Sequence, residues 1–403
     1  MKILVLNCGS SSIKYQLLDI TSKTESTILA KGLLERIGLT DGIINHKPIG
    51  KDKYVATQDI ADHTVGINLI LKALTDTEHG VIESLEEIAT AGHRVAHGGE
   101  FFKDSAIVTP TVIQQIESCF ELAPLHNPAN LKGILSIERL LPSIQQVAVF
   151  DTSFHQTMEP AQFLYPLPYK YYTDLHVRRY GFHGTSHKFV AQKACQMTGL
   201  DFETSKIITC HLGNGASVTA IKNGKSIDTS MGFTPTEGLM MGTRCGSVDP
   251  GALLYIMQKE GISINQMNDV INKESGFVGV TGISSDMRDI KAAAKNGDEK
   301  SNYAIDIFRS RIKKTVGAYF AELEGADLIV FTGGVGENDV LTRSTVCKGL
   351  ESMGIEFDFD TNLKSEGVDA ILSTATSKVK VVVATTDEEL VIASDTFRLL
   401  RNY

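Results

Sequence analysis

The chain has 403 residues, 42% hydrophobic and 22% charged, with a formal net charge of −9 at pH 7. At roughly 100–200 residues per domain this predicts two or three domains, and the composition excludes wholesale disorder. The acidic balance argues against a general nucleic-acid or anionic-membrane surface, each of which needs a basic face. It leaves room for a few arginines to collect a small anion in one cleft.

Six cysteines (Cys8, Cys119, Cys195, Cys210, Cys245 and Cys347) are scattered, with no C-x-x-C pair. That fits neither a disulfide framework nor a zinc ribbon. The apolar run Ile3-Leu4-Val5-Leu6 is shorter than the roughly 7–15 residues of a signal core. No stretch approaches the ~20 apolar residues of a membrane span. A soluble, reduced, cytoplasmic enzyme is expected.

In chain order, residues 3–6 read as a strand, Cys8-Gly9-Ser10-Ser11-Ser12 as a turn, and Tyr15, Leu17 and Leu18 as a second strand. Helices are predicted around 65–74 and 111–122. Residues 146–150 form a compact apolar strand that delivers Asp151 at its C-terminal edge. Ile207-Ile208-Thr209-Cys210-His211-Leu212-Gly213-Asn214-Gly215 then echoes the start of the chain, with a following strand at 218–221. Two such units about 200 residues apart predict two similar α/β domains. Helical periodicity is clearest at 302–323, where Ile305, Phe308, Ile312, Val316, Tyr319, Phe320 and Leu323 recur every three or four residues. A strand at 328–331 runs into Thr332-Gly333-Gly334-Val335-Gly336-Glu337-Asn338. Another at 379–384 reaches Asp387-Glu388-Glu389, and a last helix starts at Leu390. Alternating strands and helices indicate an α/β fold.

Three glycine-rich turns, at 8–12, 212–215 and 333–336, follow apolar strands. Glycine lets a backbone approach phosphate closely, and α/β sheets bind ligands at strand C-termini. Together they point to a nucleotide site. It is not a P-loop: Asn223-Gly224-Lys225-Ser226 lacks the earlier glycine (Thr219 stands there) and reads as a hairpin turn. The dinucleotide fingerprint fails after Gly334-Val335-Gly336, and the protein-kinase set is absent. The pairs His93/His97 and His183/His187 lack the glutamate of a zinc protease. Arg94, in Gly92-His93-Arg94-Val95-Ala96-His97-Gly98-Gly99, and Arg244, in Gly242-Thr243-Arg244-Cys245-Gly246, are flanked by glycines. Such guanidinium groups suit bidentate capture of carboxylate or phosphate.

At this point the chain resembles the acetate kinase family. The resemblance is carried by Asn7-Cys8-Gly9-Ser10-Ser11-Ser12-Ile13-Lys14, the segment 92–99, and Tyr180-Gly181-Phe182-His183-Gly184-Thr185-Ser186-His187. It continues through 211–215, Asp286-Met287-Arg288, 333–338 and 387–389, covering essentially the whole chain in the family's order. It implies two ribonuclease-H-like domains, a duplicated actin-like ATPase fold with an active-site cleft between them. By this analogy residues 1–150 with 387–403 form the N-terminal domain and 151–386 the nucleotide-binding one, with a homodimer expected.

The implied reaction is reversible, in-line transfer of the ATP γ-phosphoryl to acetate, giving acetyl phosphate and ADP. In such transfers alignment and charge neutralisation carry the catalysis. The resemblance assigns Arg94 to the carboxylate substrate and Arg244 to the same anion or the transferring phosphoryl. His183, and more peripherally His211, would stabilise charge there, with Asp151 orienting the substrate oxygen. Ala96, Leu125, Phe182 and Pro235 would line the acyl pocket. Lys14 and His211, Leu212, Gly213, Asn214 and Gly215 would contact the ATP phosphates. Asp286, Met287 and Arg288 with Gly334, Val335, Gly336, Glu337 and Asn338 would bind adenosine. Asn7 and Glu388 would hold Mg²⁺, or Mn²⁺ in its place, largely through water.

Two departures stand out. Alanine stands at 96 where valine is expected of acetate-preferring relatives, so propionate is expected as a second acceptor beside acetate. Asp387 stands where asparagine is usual. The alternatives are a propionate or butyrate kinase, separable by specificity constants, and a non-catalytic nucleotide module, which would not need Arg94, Arg244 and His183 together.

Overall fold

The apolar run at the start of the chain forms strand β1 (Lys2–Cys8), which pairs antiparallel with β2 (Ser12–Ile20). Its residues are apolar without interruption because both faces are covered. Leu4 and Leu6 face one side with Ile13, Ile67, Ile70 and Ile137, whereas Ile3 and Val5 face the other with Val147, Val149, Ile392 and Phe397. The first side is closed by the helices His63–Leu74 and Asn127–Leu140, the second by the C-terminal helix Glu388–Leu400. The computed structural model describes residues 1–22 and 25–401.

Two compact units make up the chain: Met1–Gln156 with Asp387–Tyr403, and Thr157–Thr386. The first contains β1 and β2, then β3 (Ser26–Glu35), β4 (Gly42–Pro48), β5 (Tyr54–Gln58), β6 (Ile88–Val95), β7 (Ala106–Ile107) and β8 (Gln145–Phe150). Their order is β5-β4-β3-β2-β1-β6-β8-β7, with β1, β6 and β8 parallel. The second unit contains β9 (Lys206–Leu212), β10 (Ala216–Lys222), β11 (Lys225–Thr229), β12 (Leu328–Thr332), β13 (Ala370–Ile371) and β14 (Lys380–Val383). Their order is β11-β10-β9-β12-β14-β13, with β9, β12 and β14 parallel. Strand for strand, β11-β10-β9-β12-β14 repeats β3-β2-β1-β6-β8. The sequence echo is therefore a repeated topology, and its polar turns sit at matching hairpins.

The Asn223-Gly224 turn joins β10 to β11 with φ of 53° and 75°. Two consecutive positive φ angles are the type I′ geometry of a two-residue hairpin, so Lys225 and Ser226 belong to a strand and not to a P-loop. The strong periodicity near 302–323 forms the helix Glu299–Glu322, N-capped by Asp298. The helix expected to reach residue 122 ends at Ser118, with Cys119 as its C-cap. Helix Asn127–Leu140 escapes a periodicity reading because it buries polar Asn127, Asn130 and Ser136 among its apolar positions. All six cysteines are unpaired; five are buried and Cys245 is half-buried. Among the described residues no helix is long and apolar enough to cross a membrane.

Candidate active site

In the first unit the functional side chains stand at the C-terminal ends of parallel strands. Arg94, near the end of β6, donates from Nε to Asp151 Oδ1 at 3.2 Å and from Nη2 to Oδ2 at 2.5 Å. Its Nη1 lies 3.5 Å from Asn7 Oδ1, at the end of β1. Asp151 follows β8 directly, is buried, and is anchored by its N–H to Val95 O at 3.0 Å. Burial works to lower the Arg94 pKa, but the carboxylates of Asp151, Glu388 and Glu389 outweigh it and the net direction is up. This fork fixes the guanidinium plane while Nη1 keeps donor capacity for a ligand.

The exit of β6 is held by residues that sequence reasoning missed. Asn130 Oδ1 accepts the Ala96 N–H at 2.9 Å, and Asn127 Oδ1 accepts that of His97 at 3.0 Å. Both asparagines are buried on one helix, and Asn130 also donates to Cys8 O at 2.6 Å. They clamp the strand that carries Arg94 and Ala96. The signal that could have found them is two asparagines three apart, at 127 and 130, on either side of Pro128. His93 is fully buried on β6 and bonds Gln146 Oε1 at 2.7 Å. Leu125 is 70% exposed. Lys14 pairs with Glu389 at 2.6 Å. Asp387 caps the C-terminal helix by accepting the Leu390 N–H at 2.9 Å, a task asparagine would perform equally. Glu388, half-buried, is the first residue of that helix.

The second unit assembles histidines around the β9–β10 hairpin. His183 precedes the helix Gly184–Thr198 in the left-handed region, at φ 57° and ψ 22°. A non-glycine residue there costs about 1–3 kcal/mol and persists where its surroundings hold it. Ser217 Oγ lies 2.9 Å from His183 Nδ1 and 2.7 Å from His187 Nε2. One hydroxyl proton between two ring nitrogens requires that one nitrogen donate. The His183 and His211 rings stack with centroids 4.3 Å apart, and His211 Nδ1 is 2.8 Å from Ser186 Oγ. His187, buried on the helix, reaches Thr209 Oγ1 at 2.7 Å.

The turn at 213–215 is where these groups converge. A Cβ on Gly215 would lie 3.4 Å from both His183 Nε2 and Arg244 Nη1. Glycine leaves this space open. Arg244 Nη1 donates to Pro235 O at 3.2 Å, and among the described residues no carboxylate pairs with it. Burial pushes its pKa down. A half-buried guanidinium with no carboxylate partner among the described residues, next to a histidine edge and a glycine turn, is chemically suited to receive an anion. The turn interlocks with the arginine's own loop, since Gly242 N–H donates to Asn214 O at 3.0 Å. Phe182 is buried and Pro235 half-buried.

At the end of β12, Gly333 takes φ 76°, where a Cβ would meet the Leu212 backbone at 2.8 Å, while Gly334 faces open space. Glu337 turns inward: its Oε1 accepts the N–H groups of Gly333 and Thr386 at 3.0 Å each, and the Thr332 hydroxyl at 3.2 Å. Asn338 Nδ2 donates to Gly334 O at 2.9 Å, Val335 packs on the core, and Gly336 is buried. Buried Arg343 donates to the carbonyls of Gly336 and Glu337 at 2.8 and 2.7 Å, steadying the C-terminal end of this short helix. Asp286 caps the helix Met287–Lys295 and receives the exposed Arg288 side chain at 2.6 Å, while Met287 is buried.

The acetokinase family's sequence profile matches residues 2–394. An acetate kinase of Thermoanaerobacterium thermosaccharolyticum is 51% identical over 403 residues, covering 100% of both chains. One from Bacteroides thetaiotaomicron is 52% identical over 401 residues, also covering 100% of each. The crystal structure of Porphyromonas gingivalis acetate kinase superposes with a TM-score of 0.96 at 51% identity, covering 99% of each chain. A propionate kinase from Francisella tularensis superposes at 0.89 with 38% identity, covering 98% of each. These agreements extend over both sheets and all the segments described above, and the chain belongs to the acetokinase family.

Proposed function

We propose that the acetate kinase reaction of this enzyme is divided between the two half-sites, one handling the acyl group and the other the phosphate. Arg94, aligned by Asp151, binds the carboxylate of acetate. Acetate is already ionised at neutral pH, so its oxygen attacks the γ-phosphorus without a general base. The acetate O–P bond forms as the bond from phosphorus to the ADP oxygen breaks, and no proton moves. Arg244 and His183 Nε2 donate to the equatorial oxygens as charge spreads over them. The observation that supports this reading is Arg244, half-buried beside His183 with no carboxylate partner among the described residues.

The 213–215 turn, with His211 and Leu212, takes the nucleotide phosphates, and the open face at Gly334 takes the adenosine with Asp286 and Arg288. Glu337 and Asn338 shape that loop, and Met287 and Val335 support it from behind. Lys14, held by Glu389, lends positive charge near the phosphates. Asn7 and Glu388 offer two hard oxygen donors, and among the described residues no cluster of three His, Cys, Asp or Glu side chains could hold a metal. That donor set fits Mg²⁺, which keeps most of its waters and takes one or two protein oxygens. When bound, Mg²⁺ (or Mn²⁺) supplies charge neutralisation to the phosphates. Ala96 and Leu125 in the first unit, and Phe182 and Pro235 in the second, are the residues assigned to the acyl group, and propionate serves as a second acceptor. The free thiols are consistent with a cytoplasmic enzyme, and the family resemblance supports a homodimer.

The test is acetyl phosphate formation from acetate, ATP and Mg²⁺, trapped with hydroxylamine as the hydroxamate. Hydroxamate appearing in step with ADP is expected. ADP release without hydroxamate would overturn the acyl-phosphate reading.

A further inference from the structure

Behind the loop that carries Pro235, three side chains from separate parts of the second unit form a continuous brace that the mechanism does not use. Tyr165 Oη accepts the Phe233 N–H at 2.8 Å and donates to Glu237 Oε2. Glu237 Oε1 accepts from Arg179 Nη2 at 2.8 Å. Arg179 Nη1 donates to Thr229 O at 2.5 Å, and its Nε lies 3.8 Å from Asp228 Oδ1. The next two residues, Tyr180 and Gly181, donate their N–H groups to Gly232 O at 3.1 and 3.2 Å. A Cβ on Gly232 would lie 1.7 Å from Glu237 Oε2 and 2.2 Å from Tyr165 Oη, so a side chain there would push both brace residues aside.

The brace thus joins two stretches of chain. One, 232–237, carries Pro235, whose carbonyl accepts Arg244 Nη1. The other, 179–183, carries Phe182 and His183. A partly buried ion-pair network contributes little net stability, because desolvation offsets much of the Coulomb attraction. What it does supply is fixed geometry. A pocket that distinguishes acids differing by one methylene works with only ~1–3 kcal/mol of discrimination, and sub-ångström slack in its wall would erase that.

We propose that Tyr165, Glu237 and Arg179 are positioning residues that set acyl-chain specificity by fixing Pro235 relative to Phe182. This rests on the assignment of Phe182 and Pro235 to the acyl pocket. None of the three touches substrate. They act through the 232–237 loop and the carbonyl that orients Arg244.

Tyr165→Phe removes one oxygen and keeps the ring, so it is the first variant to make. Steady-state kcat and KM are measured for acetate, propionate and ATP, beside the unfolding temperature. We expect KM for acetate to rise about tenfold, and the acetate-to-propionate ratio of kcat/KM to fall about fivefold. KM for ATP should stay within about twofold, a split that general loosening of the fold would not produce. Glu237→Gln, which keeps one acceptor and the volume, should give a smaller shift in the same direction, and it decides the matter if Tyr165→Phe does not fold. An unchanged ratio in the folded variant overturns the proposal. Pro235→Ala is the control. If it moves the ratio while Tyr165→Phe does not, only the brace falls; if Pro235→Ala also leaves it unmoved, the acyl-pocket assignment falls and takes the brace with it.

Discussion

Arg94 forks both carboxylate oxygens of Asp151, at 3.2 and 2.5 Å. Arg244, the other arginine of the candidate site, donates to a main-chain carbonyl and the Met241 sulfur and pairs with no carboxylate among the described residues. The two cations therefore differ in what their removal leaves behind. Arg94→Ala breaks the ion pair with the buried Asp151 carboxylate and should cost about 3 kcal/mol of stability, together with activity. Arg244→Ala relieves a desolvated charge that has no carboxylate partner among the described residues, so its unfolding temperature should equal or exceed that of the parent. Its kcat should nonetheless fall about 10²–10³-fold. Calorimetry and the hydroxamate assay on both variants check this; an Arg244→Ala protein that turns over normally would remove the anion-receptor assignment.

His183 combines a ring edge proposed to meet the phosphoryl group with a left-handed backbone, φ 57°. Asparagine tolerates that region better than most side chains and can donate a hydrogen bond. His183→Ala should lose about 10²–10³-fold in kcat and also some stability, whereas His183→Asn should keep the stability and recover part of the rate. Equal rates in the two variants would mean that the imidazole is not a donor to the phosphoryl group.

Ala96 is 5% exposed, with its N–H held by Asn130. Ala96→Val adds two methyl groups where the acyl group is proposed to sit. Propionate kcat/KM should drop about tenfold with acetate little changed, in keeping with ~1–3 kcal/mol for a methylene-sized misfit. Specificity constants for the two acids measure it directly, and parallel changes for both would show that residue 96 does not set chain length.

His93 gives a pH signature. Burial pushes its pKa from 6.5 down to about 4, and the hydrogen bond to Gln146 only partly opposes this. The folded state keeps the ring neutral while the unfolded chain protonates it near 6.5. Stability from this group is therefore complete above pH 6.5 and is lost as pH falls toward 4, by up to about 3 kcal/mol. Urea unfolding at pH 5 and pH 7 should show a larger drop for the parent than for His93→Asn. The same drop in both would exclude His93 as the source.

Much of the architecture was legible because it rests on local rules. The apolar run at 3–6, the Asn223-Gly224 hairpin and the 3–4 spacing of Ile305 to Leu323 each state their own structure. For the candidate site, the sequence singles out the arginines at 94 and 244 through their glycine flanks. That site was illegible where a role depends on a partner far along the chain. Nothing near Tyr165 announces Glu237, which lies 72 residues away, and Asn130 reads as an ordinary helix residue until it meets Ala96. Glu337 looks like a ligand-facing carboxylate after a glycine run, yet its Oε1 binds two main-chain N–H groups and a hydroxyl. Motifs locate the loop; which side of it faces the ligand is decided by tertiary packing.

Cys245, the one cysteine of six that is not buried, follows Arg244 directly in the chain. Burial raises its thiol pKa, so alkylation there will be slow near neutrality and faster under mildly alkaline conditions. A fluorophore attached through maleimide would thus sit at a single defined place without any background cysteines being stripped out. Occupancy of the neighbouring arginine could then be followed optically, titrating nucleotide or acyl phosphate against emission.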